Sequence, residues 1–310
     1  IESGDTVTIG VGSVTGAFVD KNIGTGKTVQ VSGVTKSGGD AGNYTITQPT
    51  TTANITAKTL TVSGITANNK TYNASTTATL NTGSAAFVGV ESGDTVTIGV
   101  GSASGTFADK NIGTGKTVQV SGVTKSGTDA GNYTITQPTT TANITAKTLT
   151  VTGITAANRV YDATTSATAL LDKTSAALSG VESGDTVTMD HTSATATFGD
   201  KNIGTGKTVT ISGITIDGAD SANYSLTQPT TTANITAKTL TVSGITANNK
   251  TYNASTTATL NTGSAAFVGI ESGDTVTIGV GSVTGAFVDK NIGTGKTVQV
   301  SGVTKSGGDA

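Results

Sequence analysis

The chain has 310 residues, of which 12% are charged and 4% aromatic, with a net charge of −2 and no cysteine. Both signs of charge are interspersed and no basic run occurs, which argues against binding to nucleic acid or to an anionic membrane. No apolar run approaches the roughly 20 residues that span a bilayer, and the fold must be stable without disulfides.

The sequence is a tandem array of repeats. The motif Glu-Ser-Gly-Asp-Thr-Val-Thr begins at positions 2, 91, 182 and 271, and Asp-Lys-Asn-Ile-Gly-Thr-Gly-Lys-Thr-Val begins at positions 20, 109, 200 and 289. Both series have spacings of 89, 91 and 89 residues. Residues 1–41 are identical to residues 270–310, and we therefore expect the chain to be an excerpt from a longer array.

One recurring segment marks the borders between repeats. It runs from Asn54 to Ala67, recurs from Asn143 and Asn234, and alternates apolar residues with Thr as a β-strand does. We interpret it as the last strand of one repeat running into the first strand of the next. Cutting there predicts complete repeats at residues 58–146 and 147–237 and partial repeats at residues 1–57 and 238–310.

In residues 58–146 the pattern predicts short strands separated by turns. In chain order we expect a strand at 60–65, a turn at 67–70, a strand at 77–80 with 85–88 pairing back onto it, a turn at 91–94, strands at 95–100 and 105–107, a loop at 109–115, the longest strand at 116–124, a turn at 125–132 and a strand at 133–137. Phe107 is the expected core aromatic, and Pro138 ends the last of these strands.

The strand count decides the fold class. No stretch has apolar residues at helical spacing, and seven or eight short strands with turn signals every 8–12 residues are typical of a β-sandwich. The sequence therefore predicts an all-β protein, a tandem array of immunoglobulin-like β-sandwich domains of about 90 residues. A β-grasp-like or other small β-rich repeat is the alternative, although it would normally include a helix.

Three motifs of each repeat resemble a known family. They are Tyr72-Asn73-Ala74 with Thr following, the stretch from Phe107 through Asp-Lys-Asn-Ile-Gly-Thr-Gly-Lys-Thr-Val, and Asp129-Ala-Gly-Asn-Tyr-Thr. They resemble the YDG-type and related MBG repeats of very large secreted or surface-exposed bacterial proteins, including filamentous-haemagglutinin-like adhesins. The family's Tyr-Asp-Gly reads Tyr-Asn-Ala or Tyr-Asp-Ala in this chain. The resemblance implies a stalk or fibre role in adhesion or biofilm matrix, an extracellular or cell-surface location, and no catalytic residues.

Four acidic side chains are candidates for a calcium site: Glu91, Asp94, Asp109 and Asp129. They would have to converge from separate loops, and aspartate also favours turns by bonding its own backbone, which is the stronger interpretation. His191 is the only histidine and no cysteine is present, so the repeats outside residues 147–237 have no His or Cys with which to build a nucleophile–base pair. We expect no enzyme and no cofactor, with calcium as the minor alternative.

Two functions follow as hypotheses. The first is a rigid, extended spacer in a bacterial surface adhesin or matrix fibre, because residues 143–151 lack Gly and Pro and should hold neighbouring repeats at a set angle. The second is an adhesive module that recognises a glycan or host protein through its loops. We expect each repeat to contact its neighbours, and chains to self-associate laterally or by strand donation, because residues 238–310 lack the strand equivalent to residues 44–48.

Overall fold

The computed structural model describes all 310 residues and consists of β-strands joined by turns, without α-helix. The all-β prediction is confirmed. Four single turns of 3₁₀ helix are present, Ala41–Asn43, Ala130–Asn132, Thr168–Leu170 and Ser221–Asn223. None of these helical turns has the length and hydropathy needed to cross a membrane. The chain divides into two compact units, Ile1–Lys147 and Thr148–Ala310, each of which holds two of the predicted repeats.

The first unit contains strands β1 to β17. Residues 1–57 hold β1 (Thr8–Gly10), β2 (Thr15–Phe18), β3 (Gly24–Ser32), β4 (Thr35–Ser37) and β5 (Thr50–Ile55). Residues 58–146 hold β6 (Lys58–Ser63), β7 (Thr66–Ala67), β8 (Lys70–Thr71), β9 (Thr77–Ala78), β10 (Leu80–Asn81), β11 (Ala86–Val88), β12 (Thr97–Gly99), β13 (Ser104–Phe107), β14 (Gly113–Ser121), β15 (Thr124–Ser126), β16 (Tyr133–Ile135) and β17 (Thr139–Thr145).

The second unit contains the remaining strands, the first of which starts at the last residue of the first unit. Residues 147–237 hold β18 (Lys147–Thr152), β19 (Thr155–Ala156), β20 (Arg159–Val160), β21 (Leu171–Asp172), β22 (Ala177–Ser179), β23 (Thr188–Asp190), β24 (Thr195–Phe198), β25 (Gly204–Ser212), β26 (Thr215–Asp217), β27 (Tyr224–Thr227) and β28 (Thr230–Thr236). Residues 238–310 hold β29 (Thr241–Ser243), β30 (Thr246–Ala247), β31 (Thr257–Ala258), β32 (Leu260–Asn261), β33 (Ala266–Val268), β34 (Thr277–Gly279), β35 (Thr284–Phe287), β36 (Val298–Ser301) and β37 (Thr304–Ser306).

Residues 58–146 form one five-stranded and one three-stranded sheet. The strand orders are β8-β17-β14-β13-β9 and β11-β6-β16, and two small ladders, β10-β7 and β12-β15, join them. Two pairs are parallel, β6 with β16 and β8 with β17, whereas the others are antiparallel. The first strands of the repeat therefore pair with its last strands, and this pairing closes the repeat.

The core of this repeat lies between its two sheets. Phe107 is 2% exposed and Val118 is fully buried, which confirms Phe107 as the core aromatic. Val120 of the larger sheet packs in one cluster with Val62 and Phe87 of the smaller sheet. Because Val118 and Val120 alternate with polar residues along β14, one face of the strand is buried and the other is exposed.

The hairpin predicted between residues 77–80 and 85–88 is wrong. The first of these stretches is divided between β9, which pairs with β13, and β10, which pairs with β7, while β11 pairs with β6. Ala78 is buried and Leu80 packs on the core although they lie on strands of different sheets. A chain that crosses between sheets can keep the alternation of a single strand, and the sequence pattern cannot separate the two cases.

The longest strand ends earlier than predicted, at Ser121. Gly122 has a φ of +79°, and a Cβ built on it would lie 2.3 Å from the carbonyl oxygen of Ser102. Only glycine fits that backbone conformation and that space. The chain turns here and continues as β15 in a different sheet.

The Tyr-Asn-Ala turn holds an alanine in the left-handed region, with φ of 54° at Ala74, 58° at Ala163 and 60° at Ala254. These are the only residues other than glycine with positive φ in the chain. The turn around Ala74 is fastened by Lys70, whose ammonium donates to the carbonyls of Ser75 at 2.5 Å and Thr77 at 3.0 Å and lies 5.2 Å from the Phe107 ring centre.

We predict that the triple variant Ala74→Gly, Ala163→Gly, Ala254→Gly is more stable than the parent chain. Relief of the left-handed conformation is worth about 1–2 kcal/mol per site, and the entropy that glycine adds to the unfolded chain offsets about 0.4–1 kcal/mol of this. Urea unfolding measures the difference. Ala108→Gly, at an exposed position without positive φ, should lower stability, and a triple variant that is less stable than the parent would contradict the prediction.

Candidate functional site: the junction between adjacent repeats

A lysine from one repeat lies between two aspartates of the next in the first unit. Lys21 Nζ is 2.5 Å from Asp94 Oδ1 and 2.6 Å from Asp129 Oδ1. Backbone and amide groups extend the contact, because the Ile23 N–H donates to Asn132 Oδ1 at 3.0 Å. The two repeats are thus joined by an ion pair shared among three side chains and by a hydrogen bond beside it.

The loop that carries Lys21 is held in shape from within its own repeat. The Asn22 N–H donates to Asp20 Oδ1 at 2.8 Å, and Lys27, whose side chain is 12% exposed, forms an ion pair with Asp20 and donates to the Asn22 carbonyl at 2.6 Å. Of the two lysines in this motif, Lys27 therefore stabilises the loop, and the Lys21 side chain extends to the next repeat. Its side chain is 59% exposed.

In Asp94 and in Asp129, the two carboxylate oxygens have different partners. Asp94 Oδ2 accepts from the Tyr133 hydroxyl at 2.6 Å, and Asp129 Oδ2 accepts from the Thr95 N–H at 2.9 Å. These bonds lie within the repeat and orient both side chains, so that each Oδ1 points to Lys21. The Tyr133 hydroxyl also accepts from the Glu91 N–H at 3.1 Å, which ties the Glu-Ser-Gly-Asp turn to β16.

The electrostatics of the site favour full ionisation. The hydrogen bonds that the Lys21 ammonium donates to Asp129 and Asp94 raise the pKa of Lys21. Lys21 in turn holds the pKa of Asp94 below its usual value, with the Tyr133 hydroxyl contributing. Lys21 lowers the pKa of Asp129 in the same way, and the Thr95 N–H adds to this.

The second unit repeats the arrangement between its own two repeats. Lys201 Nζ is 2.6 Å from Asp274 Oδ1 and 3.0 Å from Asp309 Oδ1, and the Thr275 N–H donates to Asp309 Oδ2 at 3.0 Å. Tyr161, the tyrosine of the Tyr-Asp-Ala turn, is hydrogen-bonded to Asp274. Burial is the main cause that raises the pKa of its hydroxyl, and the Asp274 carboxylate raises that pKa further. The signature tyrosine is therefore also part of the junction.

The four calcium candidates do not form one site. Asp94 and Asp129 come together, and the cation between them is the ammonium of Lys21. Glu91 forms an ion pair with Lys58. Asp109 accepts from Lys116 at 2.7 Å and from the Asn111 N–H at 2.8 Å, and these two bonds lower its pKa. The structure contains no cluster of three or more His, Cys, Asp or Glu side chains arranged to hold a metal ion.

Comparison with known protein families gives a match over nearly the whole chain. The family model described as YDG domain matches four segments, residues 1–53, 56–142, 145–233 and 236–310. No curated protein and no solved structure matches the chain. Both lysines of the junctions, Lys21 and Lys201, and the aspartates that they contact lie inside matched segments.

We predict that Lys21→Met lets the two repeats of the first unit move relative to each other. The chain has no cysteine, so Ser13→Cys and Ser102→Cys provide unique sites for a pair of spin labels, one on each repeat. The distribution of distances between the labels should broaden, since methionine keeps the apolar stem but not the charge. Lys116→Met, which removes an ion pair inside one repeat that takes no part in the contacts of Lys21, is the matched control. An unchanged distribution in Lys21→Met would contradict the role of the junction.

The same labels should report a pH window. The two aspartates have lowered pKa values, so their contribution is complete above the unfolded value of about 3.9 and is lost as pH falls through the lower folded value. The raised pKa of Lys21 means that its contribution is complete below about 10.4 and is lost as pH rises through the higher folded value. We expect a narrow distribution from about pH 5 to pH 9. Broadening inside that window would count against the assignment.

Proposed function

Because the chain belongs to the YDG domain family, we propose that it is a structural stalk or fibre segment of a filamentous-haemagglutinin-like bacterial surface adhesin or of an extracellular biofilm-matrix protein. In this role it acts as an extended, rigid spacer outside the cell. It would hold a distant part of the assembly at a set distance by stacking repeats, with no catalytic step. Its nearest partners are then the neighbouring repeats of the same chain.

The junction carries this proposal. A spacer needs connections that resist bending, and a lysine clamped by two pre-oriented aspartates opposes rotation of one repeat against the next. The arrangement occurs in each unit, once around Lys21 and once around Lys201. The residues that build it recur in every repeat of the sequence, as a structural connection requires, whereas a binding site could be confined to one repeat.

The short connection between repeats supports the same function. In the first unit β5 ends at Ile55 and β6 begins at Lys58, so that only two residues separate strands of successive repeats. Both strands are fixed by pairing, β5 with β3 and β6 with β11 and β16. A flexible Gly/Ser linker would allow neighbouring repeats to swing freely. This connection is too short for such motion and contains neither Gly nor Ser.

We further propose that each repeat is an immunoglobulin-like sandwich. Support comes from a repeat of about 90 residues in which two sheets enclose a common cluster around Val120 and Ile65. The chain also passes from one sheet to the other early in the repeat, between β6 and β8. The helix that a β-grasp repeat would normally carry is not among the elements of the structure.

The alternative, an adhesive module that reads a glycan or host protein through its loops, has less support. Stacking on sugar rings calls for exposed aromatic side chains. In residues 58–146 the aromatics Tyr72, Phe107 and Tyr133 are buried and Phe87 is half-buried. Adhesion through the loops of this chain stays a prediction, and no specific surface supports it.

We predict an elongated particle in small-angle scattering. A compact 310-residue globule has a radius of gyration of about 20 Å, and one repeat of about 90 residues has about 12 Å. A stiff row of such bodies should give a radius of gyration of about 30 Å or more. Lys21→Met combined with Lys201→Met should change the distance distribution toward that of flexibly linked bodies. A parent value near 20 Å would contradict the spacer function.

A further inference from the structure

The smaller sheet of the complete repeat in the first unit has an edge strand with a neighbour on one side only. This strand is β11, which pairs with β6 in the order β11-β6-β16. Ser63 Oγ on β6 donates to the Ala86 carbonyl at 3.4 Å, so that carbonyl faces β6. Because backbone groups alternate in direction along a strand, the N–H and C=O of Phe87 point away from the sheet. They take part in no other backbone hydrogen bond, and a further strand could pair with them.

The outer face of this edge is apolar. Val88 is 53% exposed, and Ala86 on the same face is also exposed. Phe87 points to the other face, where it packs with Val62 on the core, and this contact holds the strand in place. The edge therefore presents a fixed backbone and an apolar side chain beside it.

The edge also lacks the charges by which proteins normally prevent pairing between edges. Lysine and other charged side chains at an edge discourage a second strand, and the edge strand β8 of the larger sheet carries Lys70. Residues 71–90, which include β11, contain no charged residue. Two copies of this segment can therefore approach each other without repulsion between like charges.

The equivalent edge in residues 147–237 differs in these respects. Its strand, β22, has Ser179 at the position of Val88. The turn before it contains Asp172 and Lys173, where the first unit has Asn81 and Thr82. The last repeat, in contrast, has the same uncharged sequence around β33, in which Val268 is 53% exposed. The apolar edge thus occurs twice in the chain, and a charged, polar version of it occurs once.

We propose that β11 is a docking edge for a second copy of this chain, whose own β11 pairs with it antiparallel about Phe87. In this register the two Phe87 residues exchange a pair of backbone hydrogen bonds, which uses the groups that point away from β6. Val88 of each copy then lies opposite Ala86 of the other, and both apolar side chains lose contact with water. The same strand is used on both sides, so the interface is isologous.

Self-complementarity favours a second copy over an unrelated peptide as the occupant. A two-fold axis through Phe87 brings the same uncharged, apolar residues to both sides, whereas a charged peptide would find no opposite charge on residues 71–90. The resulting sheet would join two copies side by side. This inference goes beyond the spacer function and does not depend on it, because it concerns contacts between chains.

The association should be weak for one edge and stronger for several. A three-residue strand buries far less surface than a stable dimer requires. The chain has two such edges, β11 and β33, in which residues 85–89 and 265–269 are identical, so that one chain can pair with two others and gain from multivalency. We expect association that rises with protein concentration. Because no charged group takes part, 1 M NaCl should not dissociate it.

Disulfide crosslinking tests the register. The chain has no cysteine, and Val268→Lys in all samples leaves β11 as the single apolar edge. We expect a mixture of Ala86→Cys and Val88→Cys to give at least tenfold more crosslinked dimer under mild oxidation than either variant alone. In the proposed pairing these two positions are opposite, with Cα atoms about 4.5 Å apart. Identical positions lie diagonally, about 7–8 Å apart, which is beyond the usual range for a disulfide.

A matched mixture controls for random collisions. Thr117→Cys mixed with Gln119→Cys places the same two-residue spacing on the exposed face of β14. This mixture should give no more crosslinked dimer than its separate components. If the mixture of Ala86→Cys and Val88→Cys behaves in the same way, the proposed pairing is wrong.

Sedimentation velocity tests whether this edge drives association. We expect the parent to form species that grow with concentration and the double variant Val88→Lys, Val268→Lys to associate at least tenfold more weakly. The double variant Gln119→Lys, Gln299→Lys adds the same charge at exposed positions of the larger sheets and should behave as the parent does.

Two sedimentation results would overturn the proposal. One is a parent that is monomeric up to millimolar concentration, and the other is an edge variant that associates as strongly as the parent. Far-UV circular dichroism establishes that each variant is folded. Neither result bears on the spacer function, which concerns contacts within one chain.

Discussion

Each complete repeat depends on the parallel pairing between its first and last strands. In the complete repeat of the first unit, Tyr133 is in register with Lys58 on β6, and Ile144 is in register with Lys70 on β8. This pairing brings β16 beside the start of the repeat, where the Tyr133 hydroxyl reaches Asp94. In this repeat the tyrosine that orients Asp94 therefore lies beside a strand about 75 residues earlier in the chain. Part of this junction is thus built from residues that lie far apart in the chain.

The separate partners of the two oxygens in each carboxylate explain how an exposed lysine and two largely buried aspartates can hold two repeats together. An isolated surface ion pair contributes little, because water screens it and the long side chains lose conformational freedom. In the junction one oxygen of Asp94 and one of Asp129 are already fixed by Tyr133 and by the Thr95 N–H. The loop that carries Lys21 is fixed as well, through Asp20. Only the lysine itself must be ordered when the surfaces meet, and one ammonium then satisfies two carboxylates.

Much of the fold is predictable from the sequence, and the junction is not. Alternation of Val with polar residues predicts β14 and the burial of Val118, and the spacing of motifs predicts the period, because both depend on neighbours along the chain. Periodicity shows which face of a strand is buried but not which strand it pairs with, so the partner of β11 was missed. Lys21 was missed because its partners lie 73 and 108 residues away. One signal in the sequence could have identified Lys21. The motif Asp-Lys-Asn-Ile-Gly-Thr-Gly-Lys contains two lysines, and only one of them is needed to stabilise its own loop.

The alanine of the signature turn shows how a strained position can persist. An L-residue at φ near +55° carries a cost that glycine avoids, and Ala74 has this conformation next to Tyr72, which is 1% exposed. The turn is held by a cation whose position is set independently, since Lys70 is paired within β8 and lies over the Phe107 ring. In residues 147–237, Arg159 takes over and donates to the Ser166 carbonyl at 2.6 Å above Phe198. Either cation fixes the turn from the core side, and the backbone at the alanine is then determined by its surroundings rather than by its own preference.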